Sequence, residues 1–454
     1  MEILWAEQAL TADGWAEKVL IKIGKDGRIA SVIPDQERQG RALALVLPAQ
    51  GNLHSHTFQR AMAGLTECQG PDANDSFWTW RKLMYRFLKV LTPADIQAIA
   101  AFAQMEMLRV GFASVGEFHY LHNQPDGAAY DDPAELSHRI FAAREQSGIG
   151  LTHLPVLYTQ GGCDGRELTG GQMRFRLMLA QFERLLSACS TSVNDLPSDC
   201  GLGVAPHSLR AVSPDALGAV TQMFPGAPLH IHIAEQLAEV DEVKVHLGAR
   251  PVDWLLKHFN VDRRWCLIHA TQMTKTESRD LAKSGAVAGL CPITESNLGD
   301  GIFDGVNYLN QQGIFGLGTD SNIRISLTEE IRTLEYSQRL RDHCRAAFGG
   351  HTASTGRQIY QYAATGSAQA LARDSGVITK GKWADIVEID TSHPDFEGLR
   401  GERLLDTWLF AHGNHLVRNL WSAGRHLIRG GQHIREAEIT AAYRQSLRKL
   451  RSGL

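Results

Sequence analysis

Eight short apolar runs, each followed by a helical stretch, fill the middle of the chain. That alternation constrains the fold more than any other feature. The runs fall at 45–48, 113–118, 150–157, 201–205, 228–233, 265–269, 286–291 and 313–320. Strands alternating with helices build a parallel sheet through crossover connections. Eight such units over 48–374 predict an α/β chain with a (β/α)8 TIM-like barrel, whose working face lies at the strand C-termini. The two ends read differently. Segments 19–23, 27–33, 384–390 and 417–428 alternate apolar and polar residues between turns. They predict one small β-sandwich domain assembled from both termini, 1–47 and 375–454, with a C-terminal helix.

The predicted strand ends carry the chemistry. The first runs into Asn52-Leu53-His54-Ser55-His56, the fifth into His230-Ile231-His232-Ile233-Ala234-Glu235, the sixth ends in His269, and the eighth in Asp320. On a strand, residues i and i+2 point to one side, so His54 and His56 can reach one ion. A third imidazole and a carboxylate from other strand ends complete a set that suits Zn²⁺, with Fe²⁺ or Mn²⁺ as alternatives, and not Ca²⁺ or Mg²⁺. His232, nearer its strand end than His230, is taken as the ligand, and His230 as a packed residue behind it. Glu235, just past a ligand, suits a proton shuttle. His269 reads either as a further ligand or as a base beside the metal. Segment 201–210 has no lysine to bridge two metals, which favours one metal and leaves His269 free.

Charge and cysteine usage narrow the class. A formal net charge of −4 supplies no basic field for nucleic acid or a membrane surface. No apolar run reaches transmembrane length, and the acidic start Met1-Glu2 lacks the basic opening of a signal peptide. The seven cysteines are scattered without a CxxC pair, which reads as reduced thiols rather than a disulfide framework. These features predict a cytoplasmic protein acting on a small molecule.

The set His54, His56, His232, Glu235, His269 and Asp320 resembles the amidohydrolase superfamily in its mononuclear deaminase branch. Longer stretches are similar to the formimidoylglutamate deiminases of bacterial histidine degradation: 52–65 (NLHSHTFQRAMAGL), 75–86 (DSFWTWRKLMYR), 116–120 (GEFHY), 206–212 (PHSLRAV), 295–303 (ESNLGDGIF) and 318–322 (GTDSN). Pro48-Ala49-Gln50 departs from the Pro-Gly often found ahead of the HxH segment, and touches a turn, not a ligand. The resemblance implies one Zn²⁺ per chain and hydrolysis of N-formimino-L-glutamate to N-formyl-L-glutamate and ammonia. It implies that His269 orients the attacking water and takes its proton, with Asp320 as second acceptor, while Glu235 protonates the leaving amine. Arg210 and Arg81 would hold the two substrate carboxylates, assisted by Tyr120 and His207, with Gln59 near the formimino end. A homodimer is implied on the same ground. The alternative is a deaminase of a cyclic amidine, purine or pterin, with the same metal site but aromatic stacking in place of two arginines. A barrel that had lost its chemistry would have lost ligands, and all are present.

Overall fold

Six of the eight barrel strands are buried along their whole length. That is why they read as continuous apolar runs rather than alternating ones. The protein is described by a computed structural model covering 1–67, 77–350 and 353–452, including side chains except at 77–82. The strands are Gln50–Ser55, Phe112–His119, Gly150–Leu157, the broken pair Gly201–Leu202 and Ala205–Pro206, Leu229–Ile233, Trp265–His269, Val287–Leu290 and Ile314–Leu317. They pair in parallel as two sheets. Parallel bridges Val204↔Leu229 and Ser208↔His232 join strand four to five, and Ser55↔Asp320 joins strand one to eight. The sheets thereby close into one barrel.

Several helices between the strands start where a side chain can satisfy their free N–H groups. Thr92 accepts from Asp95 N and Asp95 returns to the Thr92 backbone, opening Pro93–Arg109 with Pro93 in the first turn. Thr274 and Glu277 repeat that reciprocal cap for Lys275–Ser284. The last barrel helix, Thr355–Ala370, packs on strands one, seven and eight.

The termini form one mixed sheet of eight strands. In spatial order these are Gln432–His433, Arg425–Arg429, Val417–Ser422, Ile386–Ile389, Arg41–Pro48, Glu2–Thr11, Gly14–Ile23 and Ile29–Ile33. The antiparallel pairing Ile386↔Pro48 through Ile389↔Leu45 joins the two halves. Helix Glu436–Ser452 follows at the C-terminal end and packs on Pro93–Arg109.

One expected strand belongs elsewhere. Residues 45–48, read as the first barrel strand, lie in Arg41–Pro48 of the terminal sheet, and the first barrel strand is Gln50–Ser55. Val46 faces the terminal sheet's own core with Leu4, Ile21 and Trp421, while Leu45 and Leu47 face the main core. A strand buried on both sides has the same apolar signature as a barrel strand, so periodicity alone does not separate them.

Candidate metal centre and cleft

Close approach of strands one and eight sets the geometry. A Cβ on Gly318 would lie 2.8 Å from His54 Cβ and 2.9 Å from its backbone N and O, so only glycine lets the strands touch there. Asp320 N donates to His54 O at 2.9 Å and His56 N to Asp320 O at 2.9 Å. Asn52 grips Thr319 through N–H to Oδ1 at 3.1 Å and Nδ2–H to Oγ1 at 2.7 Å. Asn322 Nδ2 donates to Asp320 O at 2.9 Å and to Ser55 Oγ at 3.0 Å. Ala234, His269, Ala270, Asp320 and Asn322 all have left-handed φ between 44° and 69°. Such residues cost free energy and cluster at functional sites.

Four side chains converge here. His54 Nε2 lies 3.1 Å from His232 Nε2 and 3.5 Å from Asp320 Oδ1, and His56 Nε2 is 3.2 Å from that same oxygen. One ligand atom from each lies within 4.8 Å of the others. His56 Nδ1 lies 2.9 Å from Phe118 O and His232 Nδ1 3.1 Å from His207 O. A carbonyl only accepts, so both Nδ1 atoms carry the proton and both Nε2 atoms present lone pairs. Burial, reinforced by neighbouring imidazoles, holds His54 and His232 well below the usual imidazole range, and burial holds His56 below it against the pull of Asp320. Neutral imidazole lone pairs and a carboxylate aimed at one small space need a cation between them. Three nitrogens, two of them on rings oriented by carbonyls, and one oxygen match a divalent metal of the zinc type. His230 lies two residues further from the end of the same strand, with Nε2 at 2.8 Å from Ala370 O instead of in the set.

Beside this set stand the proton-handling groups. His269 Nε2 is 3.7 Å from Glu235 Oε1 and 3.9 Å from Asp320 Oδ2, and its Nδ1 is 3.2 Å from Glu295 Oε1. Burial opposes charge on His269, but Glu235, the bond to Glu295 and Asp320 outweigh it and raise the imidazole well above its usual range. Burial pushes Glu235 up to about 7, with Asp320 and Glu239 adding and His269 and Arg210 opposing. Perturbed carboxyl and imidazole groups in one cleft are what proton transfer requires.

The cleft is lined by Gln59, Tyr120, His207 and Arg210 together with His56, His232, Glu235, His269 and Asp320. Gln59 Nε2 donates to Tyr120 Oη at 2.6 Å, and Arg210 Nη1 to Tyr158 Oη at 3.3 Å. Arg81 lies on helix Phe77–Leu88, but its side chain falls outside the described residues. Four residues escaped the sequence reading. Glu295 holds the far side of His269 and accepts from Cys291 N at 2.8 Å. Glu239 accepts from Ala234 N at 3.1 Å and Glu235 N at 3.0 Å. Tyr158 carries Arg210, and Asn322 braces Asp320. Tyr158 directly follows a strand, which was a usable signal. Glu239 and Asn322 act locally, four residues past Glu235 and two past Asp320, whereas Glu295 acts across loops, where linear spacing says nothing. A larger groove of about 1160 Å³ opens around Pro228, Trp265 and Lys382, but it gathers no comparable set of ligands and acids.

Comparison with known proteins shows the family. The amidohydrolase family matches residues 45–427, and the N-terminal domain of formimidoylglutamate deiminase HutF matches 1–41. The chain is 44% identical to formimidoylglutamate deiminase of Pseudomonas aeruginosa over 454 residues, covering 99% of this chain and 100% of that protein. It is 27% identical over 392 residues to 8-oxoguanine deaminase of the same organism, covering 82% of each. The crystal structure of an amidohydrolase from Brucella melitensis superposes with a TM-score of 0.95 at 43% identity, over 99% of this chain and 100% of that one.

Proposed function

Because the chain belongs to the amidohydrolase family, and within it to the formimidoylglutamate deiminases, we propose that it hydrolyses N-formimino-L-glutamate to N-formyl-L-glutamate and ammonia, a step of histidine degradation. The observation that carries the choice of substrate is Arg210, a cation in the same cleft as the three-histidine, one-aspartate set. A cyclic amidine has no carboxylate for it to hold.

We assign His54, His56, His232 and Asp320 as ligands of one divalent ion per chain, zinc by donor chemistry, with Fe²⁺ or Mn²⁺ as alternatives. Such an ion acidifies bound water and polarises the reacting carbon. Beside a cation held by the neighbouring ligands, the His269 imidazole would be drawn back toward its neutral form, which orients the attacking water and, with Asp320, takes up its proton. Glu235, with a carboxyl near 7, exchanges protons at neutral pH and delivers one to the departing nitrogen as the C–N bond breaks. Arg210 pairs with one substrate carboxylate, for which the planar guanidinium offers two parallel donors. Arg81 is proposed for the other, with Tyr120 and His207 assisting and Gln59 beside the formimino group. We place the enzyme in the cytoplasm as a homodimer; sedimentation tests the second point.

Ammonia release from N-formimino-L-glutamate, N-formimino-L-aspartate, guanine and adenosine tests the reading. The first is expected to be the best substrate, and faster turnover of either purine overturns the assignment. Arg210→Met is expected to lose ~2–4 kcal/mol of transition-state binding, or ~30- to 1,000-fold in kcat/KM, on N-formimino-L-glutamate. On a carboxylate-free amidine the loss should be much smaller. Equal losses on both would show that Arg210 does not read the carboxylate.

A further inference from the structure

The loops after barrel strands five, six and seven converge on one buried carboxyl group. Asp300 lies just past helix Pro292–Leu298 and is 5% exposed. Its Oδ1 accepts from Gln236 Nε2 at 2.9 Å, its backbone O accepts from Gln272 Nε2, and its N donates to Glu295 O at 2.9 Å. Gln236 follows Glu235 directly. Gln272 lies three residues beyond His269 and is itself held through its carbonyl by Arg250, which also donates to Glu277 Oε2 at 2.9 Å. Glu295 is the partner of His269 Nδ1. One side chain and its backbone thus join the carriers of Glu235, His269 and Glu295. Its other oxygen, Oδ2, is buried with no hydrogen-bond partner. An unsatisfied buried oxygen costs free energy, so an acid at this place is not explained by packing alone.

We propose that Asp300 is a positioning residue that ties the loop bearing Glu235 to the loop after His269 and so fixes the spacing of the two proton-handling groups. This rests on the reading of Glu235 and His269 given above. Burial, then the charge of Glu235, with Glu295 adding and His269 and Gln236 opposing, push the Asp300 carboxyl up to about 8. At neutral pH it serves as an uncharged hydrogen-bonding group, since a second charge beside Glu235 would repel it. Asparagine, uncharged and of the same shape, keeps the acceptor for Gln236. Alanine does not.

The test compares Asp300→Ala, Asp300→Asn and Gln236→Ala with wild type by kcat, KM, bound metal, and amide hydrogen exchange over 234–237 and 270–273. Asp300→Ala is expected to lower kcat ~10- to 100-fold, the scale of small misplacements of reacting groups. KM and metal content should stay close to wild type, and exchange should quicken most over 234–237, where the acceptor for Gln236 is lost, and less over 270–273, where the backbone bond to Gln272 remains. Asp300→Asn should recover most of that loss. Gln236→Ala should show a smaller fall in kcat, with faster exchange confined to 234–237. An Asp300→Ala enzyme with wild-type kcat and exchange overturns the proposal, as does an Asp300→Asn enzyme no better than alanine. Should alanine fail to fold, a Gln236→Ala enzyme with unchanged kcat and exchange overturns it equally. If wild type spares N-formimino-L-glutamate, the substrate reading fails, while the exchange data still decide the role of Asp300.

Discussion

Two buried clusters of charge occupy opposite ends of the barrel. At the strand N-termini, Arg373 grips Asp385 through two bonds of 2.7 and 2.9 Å and reaches Asp199 O at 2.6 Å. Arg425 forks onto both oxygens of Asp199 at 2.9 and 2.6 Å, and Arg144 Nε donates to Ile149 O at 3.0 Å. Cations there face carboxylates and carbonyls, and the arginines outweigh burial to hold Asp199 below the usual carboxylate range. At the strand C-termini, lone pairs face lone pairs, and burial, with neighbouring carboxylates adding, pushes Glu235 and Asp300 up instead. The first cluster is complete within the chain. The second leaves lone pairs that a cation would satisfy, with room beside them for the proposed substrate. Burial and ionisable residues are common to both, so what marks the functional one is the sign of its imbalance.

Substitutions at the two ends should therefore fail in different ways. His56→Ala opens the metal set and is expected to remove bound metal and bring turnover to background, with elemental analysis beside an ammonia assay as the check. A variant retaining full metal would exclude His56 as a ligand. Glu235→Gln leaves the four proposed ligands untouched. It should keep metal content and lose kcat by ~10²-fold or more, the scale of a general acid–base group; near-normal turnover would remove Glu235 from the proton path.

At the other end, Arg373→Met takes the paired arginine from Asp385, leaving it the Ala423 N–H bond at 2.7 Å, and one of the arginines from Asp199. Breaking a buried pair costs ~3–5 kcal/mol, so denaturant midpoints should fall sharply. Bound metal and kcat measured well below the melting temperature should stay near wild type. A variant that kept its stability but lost turnover would reverse the contrast between the two ends.

How much of this was legible depends on whether a residue acts along the strand or across it. His54, His56, His232 and Asp320 stand at ends of strands whose apolar runs are unmistakable, so texture and spacing brought them together. His230 and His232 share a chemical type and a facing direction. Only depth in the barrel separates them, and the position of the strand end was enough to choose. Glu295 and Asp300 lie in a stretch that resembles the deiminases, yet nothing in ESNLGD says which acid turns back toward His269. Their partners are 26 and 64 residues away. The strand at 45–48 was misplaced for the opposite reason: its local signal was strong and its context, a second core on the far face, was invisible.

The smallest expected effect concerns histidines that belong to neither cluster. Burial holds His122 down to about 4, although its bond to Val156 O at 2.9 Å favours the proton. An unfolded histidine titrates near ~6.5. Above that value both states are neutral and His122 contributes no pH dependence. As pH falls from ~6.5 toward ~4, the unfolded chain binds a proton that the folded one refuses, so stability declines by ~1.4 kcal/mol per pH unit for this group. Buried acids run the other way. Glu117, raised to about 7 by burial against its bonds to Thr57, takes up its proton first in the folded state and offsets part of the decline. The total curve therefore mixes signs, and the informative quantity is the difference between wild type and His122→Gln. Denaturant unfolding at pH 6.5 and 5.5 should show the variant losing ~1 kcal/mol less than wild type over that unit. Parallel curves would mean that His122 accepts its proton in the folded protein as readily as in the unfolded chain.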